Sequence, residues 1–488
     1  MERSEHVRTL KGGLVEACGL LNEAQFGEAM EVLDAVKGRG LETVRLAFAD
    51  QHGVLRGKTI VADKLDSLFR NGMAITSTLL LKDTSHRTVF SVWEEGGEGG
   101  VGELSGAGDV LVVPDPSTFK ILPWSEHSGW LLCDVYFKDG RRFPFSSRGI
   151  LRDAVDRLGN RGLDLVCGLE VEFYVFRIDD PRLEHNDGGM PATPPDTSLL
   201  AHGYQYLTEA RYDSLEFVAD ELRRACQKLA MPVRSVEAEF GPSQFEFTFE
   251  PDTPMNHADT MMLFRSTVKQ VCARMGLHAT FMCRPKVENG MASGWHLHQS
   301  IVERDTGRNL FMPERGETLT PTASAWIAGL LDHAAESCLL TTPTVNGYKR
   351  YQPFQLAPDR IQWGRDNKGA MIRALITPAD KASRIENRIA EPAANPYYYF
   401  ASQILSGLDG LERGATAPDP VERPYDNDSR FLPKSLIAAI ERFEEDGFYR
   451  KAIGKDFVAY LAHIKRAEWS RYLMTVSEWE QREYFSLF

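Results

Sequence analysis

Three short segments carry acidic and imidazole side chains at alternate positions. Residues 168–176 read GLEVEFYVF, residues 244–250 read QFEFTFE, and residues 295–300 read WHLHQS. A β-strand directs successive side chains to opposite faces, so each segment is predicted to be a strand with one apolar and one polar face. The groups on the polar faces that could do chemistry are Glu170, Glu172, Glu246, His296 and His298.

Carboxylates grouped in this way suit a divalent cation. Adjacent carboxylates raise each other's pKa unless a cation keeps them ionised. Glutamate oxygens with one or two imidazole nitrogens, and without thiolates, favour Mg²⁺ or Mn²⁺. For any one strand alone, a sheet with a solvated polar side is the simpler interpretation. The three strands together favour a metal site.

Two further segments add guanidinium groups. Residues 346–350 read NGYKR and residues 384–388 read RIENR. An arginine side chain binds carboxylate and phosphate oxygens through two parallel N–H bonds. Metals beside such arginines are the working parts of phosphoryl transfer. No G-x-x-x-x-G-K-[ST] loop occurs, which argues against a P-loop enzyme.

The elements that must position these groups indicate an α+β fold. The chain has 488 residues, of which 43% are hydrophobic and 26% charged, a globular composition. Helices and short alternating strands are predicted in three parts: a helical segment at 1–40, a strand-rich domain at 41–140 and a larger domain at 141–488. The Gly- and Glu-rich stretch 94–108 is predicted to be a mobile loop.

The charge balance and cysteines indicate the setting. With 56 Lys and Arg against 69 Asp and Glu, the net charge is −13, which gives no reason to expect nucleic acid or an anionic membrane as a partner. No stretch reaches the roughly 18 apolar residues of a membrane span, and residues 1–6, MERSEH, do not begin a secretory signal. Seven scattered cysteines predict reduced thiols, so a cytoplasmic protein is expected.

The motifs taken together resemble the glutamine synthetase superfamily. The similarity extends through segments in the family's order: GLEVEF at 168–173, EFGPSQFE at 239–246, FMCRPK at 281–286, HLHQS at 296–300, NGYKR, WGRDN at 363–367, RIENR and ANPY at 394–397. Near the start, FAD at 48–50 and RGK at 56–58 resemble the family's N-terminal β-grasp domain. The resemblance implies that 41–140 is this β-grasp domain and that 141–488 is a catalytic domain with a curved antiparallel sheet.

The resemblance also implies an activity and a set of site residues. Family members join L-glutamate to an amine, using ATP to form γ-glutamyl phosphate first. Two to three Mg²⁺ or Mn²⁺ ions per site would be bound by Glu170, Glu172, Glu239, Glu246, His296 and Glu386. ATP would contact His298, Ser300, Lys368, Arg373 and Arg384. Glutamate would contact Gly294, Arg350 and Arg388, the two arginines holding its carboxylate and the transferring phosphoryl group.

Asp50 is implied to act between subunits. In the family, an aspartate at this position enters a neighbouring subunit's active site and serves the amine. The resemblance therefore implies a homo-oligomer with shared sites, a dodecamer of two stacked hexamers. An aspartate that simply forms its own turn is the alternative.

One departure from the family pattern bears on the amine. The family's R-x-x-P-x-x-E-A-P flap is RYQPFQLAP at 350–358, so Leu356 replaces a Glu that helps to accept the ammonium proton. Lys368 also replaces an arginine, which removes a bidentate fork. A small aromatic or apolar amine such as aniline is therefore predicted, as in the γ-glutamylanilide synthases of aromatic-amine degradation. Its pocket would consist of Asp50, Leu356, Phe354, Trp295 and Tyr204.

Three alternatives remain open at this stage. Glutamine synthetase proper would use ammonia, and the missing flap Glu counts against it. The γ-glutamylpolyamine synthetases also lack that Glu, but a second ammonium group would require acidic neighbours. An inactive structural or regulatory oligomer would be expected to have lost metal ligands, whereas all six candidate positions are Glu or His.

Overall fold

The computed structural model describes residues 10–93 and 102–488. The polar start at residues 1–6 and most of the loop predicted at 94–108 lie outside this range. The described end of that loop, Gly102–Ala107, forms 3₁₀ turns interrupted by a kink at Ser105 and Gly106. The predicted α+β class is confirmed, with two sheets and surrounding helices.

The first sheet is built from the N-terminal third of the chain. Its strands are β1 Thr43–Ala49, β2 Leu55–Val61, β3 Met73–Thr76, β4 Asp109–Pro114, β5 Lys120–Ile121 and β6 Ser128–Tyr136. They run in the order β2-β1-β6-β4-β3, with β5 beside β6. The β1–β6 pair is parallel and the others are antiparallel. The accompanying helices are α1 Leu14–Ala17, α2 Glu23–Gly38 and α3 Leu65–Asn71.

The second sheet is the one that contains the candidate strands. Its members are β7 Leu163–Asp180, β8 Asp196–Leu199, β9 Val233–Ala238, β10 Gln244–Phe249, β11 Leu277–Thr280, β12 Trp295–Glu303, β13 Trp363–Arg365, β14 Ile372–Leu375 and β15 Arg384–Ala390. The order is β13-β14-β15-β12-β7-β10-β9, and β8 and β11 also pair with β7. All of these pairs are antiparallel except β13–β14.

Several of the helices that follow the first sheet begin at a side-chain cap. The helices in this part of the chain are α4 Ser147–Gly159, α5 Glu209–Lys228, α6 Pro254–Arg274, α7 Pro321–Asp332, α8 Ala334–Thr341, α9 Pro396–Arg413, α10 Leu436–Glu445, α11 Phe448–Ala452, α12 Lys455–Leu473 and α13 Glu478–Tyr484. In α6, α7 and α9 a proline occupies the first turn and a Thr or Asn side chain accepts a backbone N–H bond. No helix among the described residues combines the length and apolar character needed to cross a membrane.

The apolar face of the second sheet packs on helices and leaves the polar face free for the site. The Phe173 ring lies 5.8 Å from Phe245 and 5.7 Å from Phe247, measured between ring centroids. Phe264 of α6 and Phe281 approach it at 5.8 and 5.1 Å. These rings are fully or almost fully buried. The alternation read from the sequence therefore separates a hydrophobic core from a chemical surface.

A buried arginine joins the first sheet to the helices. Arg148 of α4 donates to Asp115 at 2.7 Å, Asp134 at 3.1 Å and Asp259 at 2.8 Å. Burial disfavours its charge, but the three carboxylates outweigh that effect and raise the pKa of Arg148. Within the segment 138–144, Arg142 forms an ion pair with Asp153 of the same helix α4. The domain boundary near residue 140 stays a prediction.

Candidate active site

Acidic groups on three neighbouring strands lie directly opposite one another. Glu170 of β7 faces His296 of β12, and Glu172 of β7 faces Glu246 of β10. Glu246 in turn faces Glu237 of β9. These pairs share one face because side chains alternate along each strand. The strands predicted from the sequence thus bring their carboxylates together.

The neighbouring strands add a second histidine and two arginines. His298 of β12 faces Glu386 of β15, which faces Arg373 of β14. Arg373 Nη1 donates to Glu386 Oε2 at 3.0 Å, and Arg388 Nη1 donates to Glu386 Oε1. Glu386 is completely buried. A buried carboxylate between two guanidinium groups is held ionised.

These side chains surround an acidic cavity of about 230 Å³. Five glutamates line it, namely Glu170, Glu172, Glu237, Glu239 and Glu246. Four cationic side chains also contribute, namely Arg350, Lys368, Arg373 and Arg388. The cavity is therefore a place where several negative charges and several cations meet in partly buried surroundings.

The pKa values divide the carboxylates into two groups. Burial and neighbouring carboxylates raise the pKa of Glu172 to about 8, and burial above all raises that of Glu239 to about 7. Burial and the same neighbours raise the pKa of Glu246. Burial also acts on Glu170 and Glu386, but the adjacent histidines, and Arg388 beside Glu386, outweigh it and lower both pKa values.

Both groups of carboxylates fit divalent metal ions. Donor atoms of Glu170, His298 and Glu386 all lie within 4.8 Å of one another. His296 Nδ1 also lies 2.7 Å from Glu170 Oε1 and 3.4 Å from Glu386 Oε1. The raised pKa values at Glu172, Glu239 and Glu246 are those of carboxylates that need a cation. Bound divalent ions would supply positive charge to phosphate oxygens here.

Arg350 reaches the cavity through a gap left by Gly294. Arg350 is 3% exposed, and its Nη1 donates to the Arg388 carbonyl at 2.8 Å. Its Nη2 lies 3.3 Å from His296 Nε2. A Cβ atom on Gly294 would lie 2.7 Å from Arg350 Nη2 and 2.8 Å from His296 Nε2, closer than packed atoms allow. Only glycine therefore leaves room for this arginine.

A larger cavity of about 890 Å³ adjoins the acidic one. Its lining includes four of the five predicted ATP contacts, namely His298, Ser300, Arg373 and Arg384. The two cavities share the side chains of Glu170, Glu237, Thr248 and Arg373. The fifth predicted contact, Lys368, lines the acidic cavity instead. The larger space lies in the size range of cofactor sites.

One predicted amine-pocket residue lies elsewhere, and two others do not line the cavity. Trp295 is fully buried against Tyr399 and Phe400, with ring centroids 5.1 and 5.6 Å away. That prediction is wrong because alternation along β12 turns Trp295 away from His296. Phe354, 80% exposed, packs against Tyr425, and Tyr204 is 56% exposed; neither borders the acidic cavity.

Asp50 lies outside both cavities of its own chain. Its Oδ1 accepts from the backbone N–H groups of His52 and Val54, both at 2.9 Å, and its Oδ2 accepts from Arg56 Nε at 2.8 Å. Asp50 is 1% exposed. Within one chain, Asp50 therefore stabilises its own turn, which is the alternative role that the sequence allows.

The structure adds cavity residues that the sequence analysis missed. They include Glu237, Tyr206, Phe240, Met291 and Gln355. A signal existed for one of them, because Ser235 and Glu237 alternate along β9 as Glu170 and Glu172 do along β7. The others lie outside the strands, and local periodicity does not predict where a loop directs a side chain.

A second group of metal-type ligands lies among the helices. Donor atoms of His333, Glu336 and Asp446 are within 4.8 Å of one another. Both ring nitrogens of His333 already have partners, Glu336 at 2.8 Å and Asp409 at 2.8 Å. The ring also stacks on Phe448 at 3.6 Å. These contacts join α9 to the junction between α7 and α8. The partners of His333 therefore explain this group of residues as a structural ion pair.

The comparisons with known proteins agree with this geometry. Residues 144–484 match the family described as glutamine synthetase, catalytic domain. A γ-glutamylanilide synthase from Acinetobacter sp is 41% identical, over 96% of this chain and 97% of its own. A glutamine synthetase from Methanosarcina mazei is 30% identical, over 94% and 97%. A solved structure of GmaS without ligand superposes with a TM-score of 0.78 at 27% identity, covering 93% and 99%.

The chain belongs to the glutamine synthetase family. It is an ATP-dependent ligase that joins glutamate to an amine, in a family that uses divalent metals. The acidic cavity and its larger neighbour lie within the matched residues. The next question is which amine the cavity accepts.

The Gly294→Ala substitution tests the position of Arg350. We expect kcat/KM for glutamate to fall about 100-fold, because the new Cβ displaces the guanidinium that the family resemblance assigns to the glutamate carboxylate. The protein should keep its wild-type circular dichroism spectrum. Gly27→Ala is the matched control, since a Cβ there meets nothing within 4 Å. Wild-type kinetics in Gly294→Ala would show that Arg350 tolerates displacement.

The Glu246→Gln substitution tests the metal site with two measurements. Activity with Mg²⁺ should fall by about 100-fold or more, because one charged ligand is lost. In a chelator the variant should be more stable to heat than the wild type, because one buried like charge is removed.

Added Mg²⁺ should stabilise the wild type but much less the Glu246→Gln variant, since an ion stabilises only the state that binds it. Glu250→Gln, which changes an exposed carboxylate on the same segment, is the control. Full activity of either the wild type in chelator or Glu246→Gln would refute the metal assignment.

Proposed function

We propose that the protein ligates the γ-carboxylate of L-glutamate to a small aromatic amine, such as aniline. The observation that carries this proposal is the position of Leu356. Leu356 lines the acidic cavity, and its backbone carbonyl accepts a bond from Arg388 Nη2 at 3.2 Å. An apolar group thus lies where the family pattern has a carboxylate.

Other apolar side chains extend this surface. The rings of Tyr206 and Phe240 stack with centroids 4.5 Å apart and planes 8° apart. Both line the cavity, with Met291 and Ala292. This wall offers an aromatic amine a flat contact, and each Å² of apolar area that it covers contributes about 25 cal/mol.

The protonation state of the amine gives a second reason. Alkylamines and ammonia are largely protonated at neutral pH and must lose a proton before the nitrogen attacks. Leu356 can neither accept that proton nor pair with the cation, and an unpaired ammonium group is costly to bury. An arylamine is already neutral and avoids both costs.

The reaction proceeds in two steps in this proposal. A γ-carboxylate oxygen of glutamate attacks the γ-phosphorus of ATP, and the bond to ADP breaks. The amine nitrogen then attacks the carbonyl carbon of γ-glutamyl phosphate, phosphate leaves with the C–O bond electrons, and the nitrogen loses a proton. Arg350 holds the glutamate carboxylate and Arg388 the transferring phosphoryl group. Arg388 Nε, a buried donor without an acceptor among the described residues, supports that role.

ATP would occupy the larger cavity, with two to three Mg²⁺ or Mn²⁺ ions at the boundary between the cavities. Glu172, Glu239 and Glu246 would bind metal on the glutamate side, and Glu170, Glu386 and one or both histidines on the phosphate side. The contacts of Glu170 with both His296 and His298 support this second set. The shared lining of the two cavities supports a phosphate path between them.

The oligomer would be a dodecamer of two stacked hexamers. Members of the family form oligomers, and this chain ends in an exposed apolar segment that includes Trp479, Phe485 and Phe488. Exposed apolar surface of this kind marks contacts with other chains. Asp50 would then contribute to a neighbouring subunit's amine site, once its turn releases the carboxylate from Arg56.

A cationic amine is the second candidate. Glu237 and Glu239 line the same cavity as Tyr206 and Phe240, and carboxylates there would attract ammonia or a polyamine as cations. Bound metal ions would neutralise most of that charge, which is why the aromatic amine is preferred.

The amine assignment is tested by kcat/KM for aniline, ammonia, ethylamine and putrescine at fixed glutamate and ATP. We expect aniline to give the highest value. Leu356→Glu should shift the ratio towards ammonia, because it restores a proton acceptor and a negative charge. Leu356→Met, which stays apolar, should leave the order unchanged. A higher value for ammonia or putrescine in the wild type would overturn the proposal.

The shared site is tested by mixing inactive subunits. Asp50→Ala and Arg350→Ala should each be inactive, and mixed oligomers should regain activity, because some sites then combine an intact Asp50 with an intact Arg350. If Asp50 serves only its own turn, Asp50→Ala should lose stability and activity together. Mixed oligomers that form but stay inactive would contradict a role between subunits.

A further inference from the structure

A third cavity, of about 480 Å³, lies apart from the active site. It is enclosed by the turn between β1 and β2, by α6, and by parts of α8, α9 and α12. It shares no lining residue with the two active-site cavities. Much of its wall is apolar, including Met262, Phe281, Leu339, Leu340 and Leu461.

The charged residues that line this cavity are all cationic. Arg265, Lys269 and Lys465 line it, and no Asp or Glu does among the described residues. The whole chain has 69 acidic residues and 56 basic ones. A cavity lining with three cations and, among the described residues, no acidic side chain therefore differs from the composition of the chain. Lys465 is compensated by Glu468 at 3.0 Å. The positive charges of Arg265 and Lys269 are not compensated in this way and require a separate explanation.

Arg265 and Lys269 bond only to neutral acceptors in the described structure. Arg265 donates to the carbonyls of Pro392 and Ala394, both at 3.1 Å. It also donates to the Gly53 carbonyl at 3.3 Å and to the Met262 sulfur at 3.4 Å. Lys269 donates to the Ala279 carbonyl at 3.1 Å.

Burial lowers the pKa of Arg265 to about 10 and also lowers that of Lys269. Asp50 acts on Arg265 only through its charge, since its carboxylate is bonded to Arg56. Arg265 is half-buried, and Lys269, although protein atoms surround part of it, keeps an exposed surface. Neither is bonded to an acidic side chain among the described residues, so an anion that enters the cavity can reach both.

We propose that this cavity binds a small molecule that carries a carboxylate on an apolar body. The carboxylate would pair with Lys269 and Arg265, and the body would lie on Met262, Phe281 and the leucines. A highly charged anion such as a polyphosphate fits less well, since most of the wall offers it no polar partner. The site is separate from the ligase site, so its existence does not depend on which amine is used.

The place of the cavity indicates what its ligand would touch. Gln51, His52 and Gly53 belong to the turn that begins at Asp50, and they line the cavity. Asn395 Nδ2 also donates to the Asp50 carbonyl at 3.1 Å. A molecule bound here would therefore lie directly behind this turn and restrict its movement.

The test uses 4-phenylbutyrate with the full-length protein and measures affinity by calorimetry. Its amide, 4-phenylbutyramide, has the same body without the charge, and sulfate has charge without the body. We expect the carboxylate to bind and to raise the unfolding temperature, as a ligand of the folded state does. The amide and sulfate should bind at least about tenfold more weakly, because the amide lacks the negative charge and sulfate lacks the apolar body.

Variants locate the binding. Lys269→Met should weaken 4-phenylbutyrate binding at least about tenfold, since it removes the ammonium group that would pair with the carboxylate. Lys269→Arg should keep the affinity, and so should Lys228→Met, a change at an exposed lysine outside the cavity. Arg350→Ala should also bind normally, which separates this site from the glutamate site.

Three results would overturn the proposal. They are absence of 4-phenylbutyrate binding to the wild type, unchanged affinity in a folded Lys269→Met protein, and equal binding of the amide. A crystal structure with the 4-bromophenyl analogue gives a direct check, because its anomalous signal should lie in this cavity. A signal only in the acidic cavity would equally refute the assignment.

Discussion

Mutual repulsion of carboxylates on one sheet face is the constraint on which the rest of the site depends. Glu172 and Glu246 lie directly opposite each other, with Glu237 on the next strand. Burial and the repulsion between neighbouring carboxylates together raise the pKa of Glu172 and Glu246. The arginines from β14 and β15 offset part of this charge, and divalent metal ions, which the family uses, would offset more. The Phe core behind the sheet keeps the strands in register.

The features that follow from short-range periodicity were predictable from the sequence. Alternation along β7, β10 and β12 was sufficient to place Glu170, Glu246 and His296 on the polar face, because a strand's geometry fixes where each side chain points. The family resemblance added Glu239, Glu386 and the arginines, which lie far apart in the chain. The same alternation also excludes Trp295 from the site, although the sequence analysis did not apply it there.

Features that depend on how distant segments pack were not predictable. Tyr206 lines the cavity while Tyr204, two residues earlier, is exposed. Phe354 and Leu356 both have positive φ angles, of 61° and 52°, so no regular period relates the directions of their side chains. The third cavity is assembled from both ends of the chain, and its uncompensated cations become apparent only when α6 is placed against the β1–β2 turn.

The way in which Leu356 is held has a consequence for how acceptor preference can change. Arg388 contacts the carbonyl oxygen of this residue, and the residue also lines the acidic cavity. The contact with Arg388, the arginine proposed to hold the phosphoryl group, is therefore independent of which amino acid stands at 356. A single substitution at position 356 can place a new side chain beside the amine, while the part of the site that would bind ATP and the phosphoryl group stays unchanged. Such separation lets a lineage explore new nitrogen sources without an inactive intermediate.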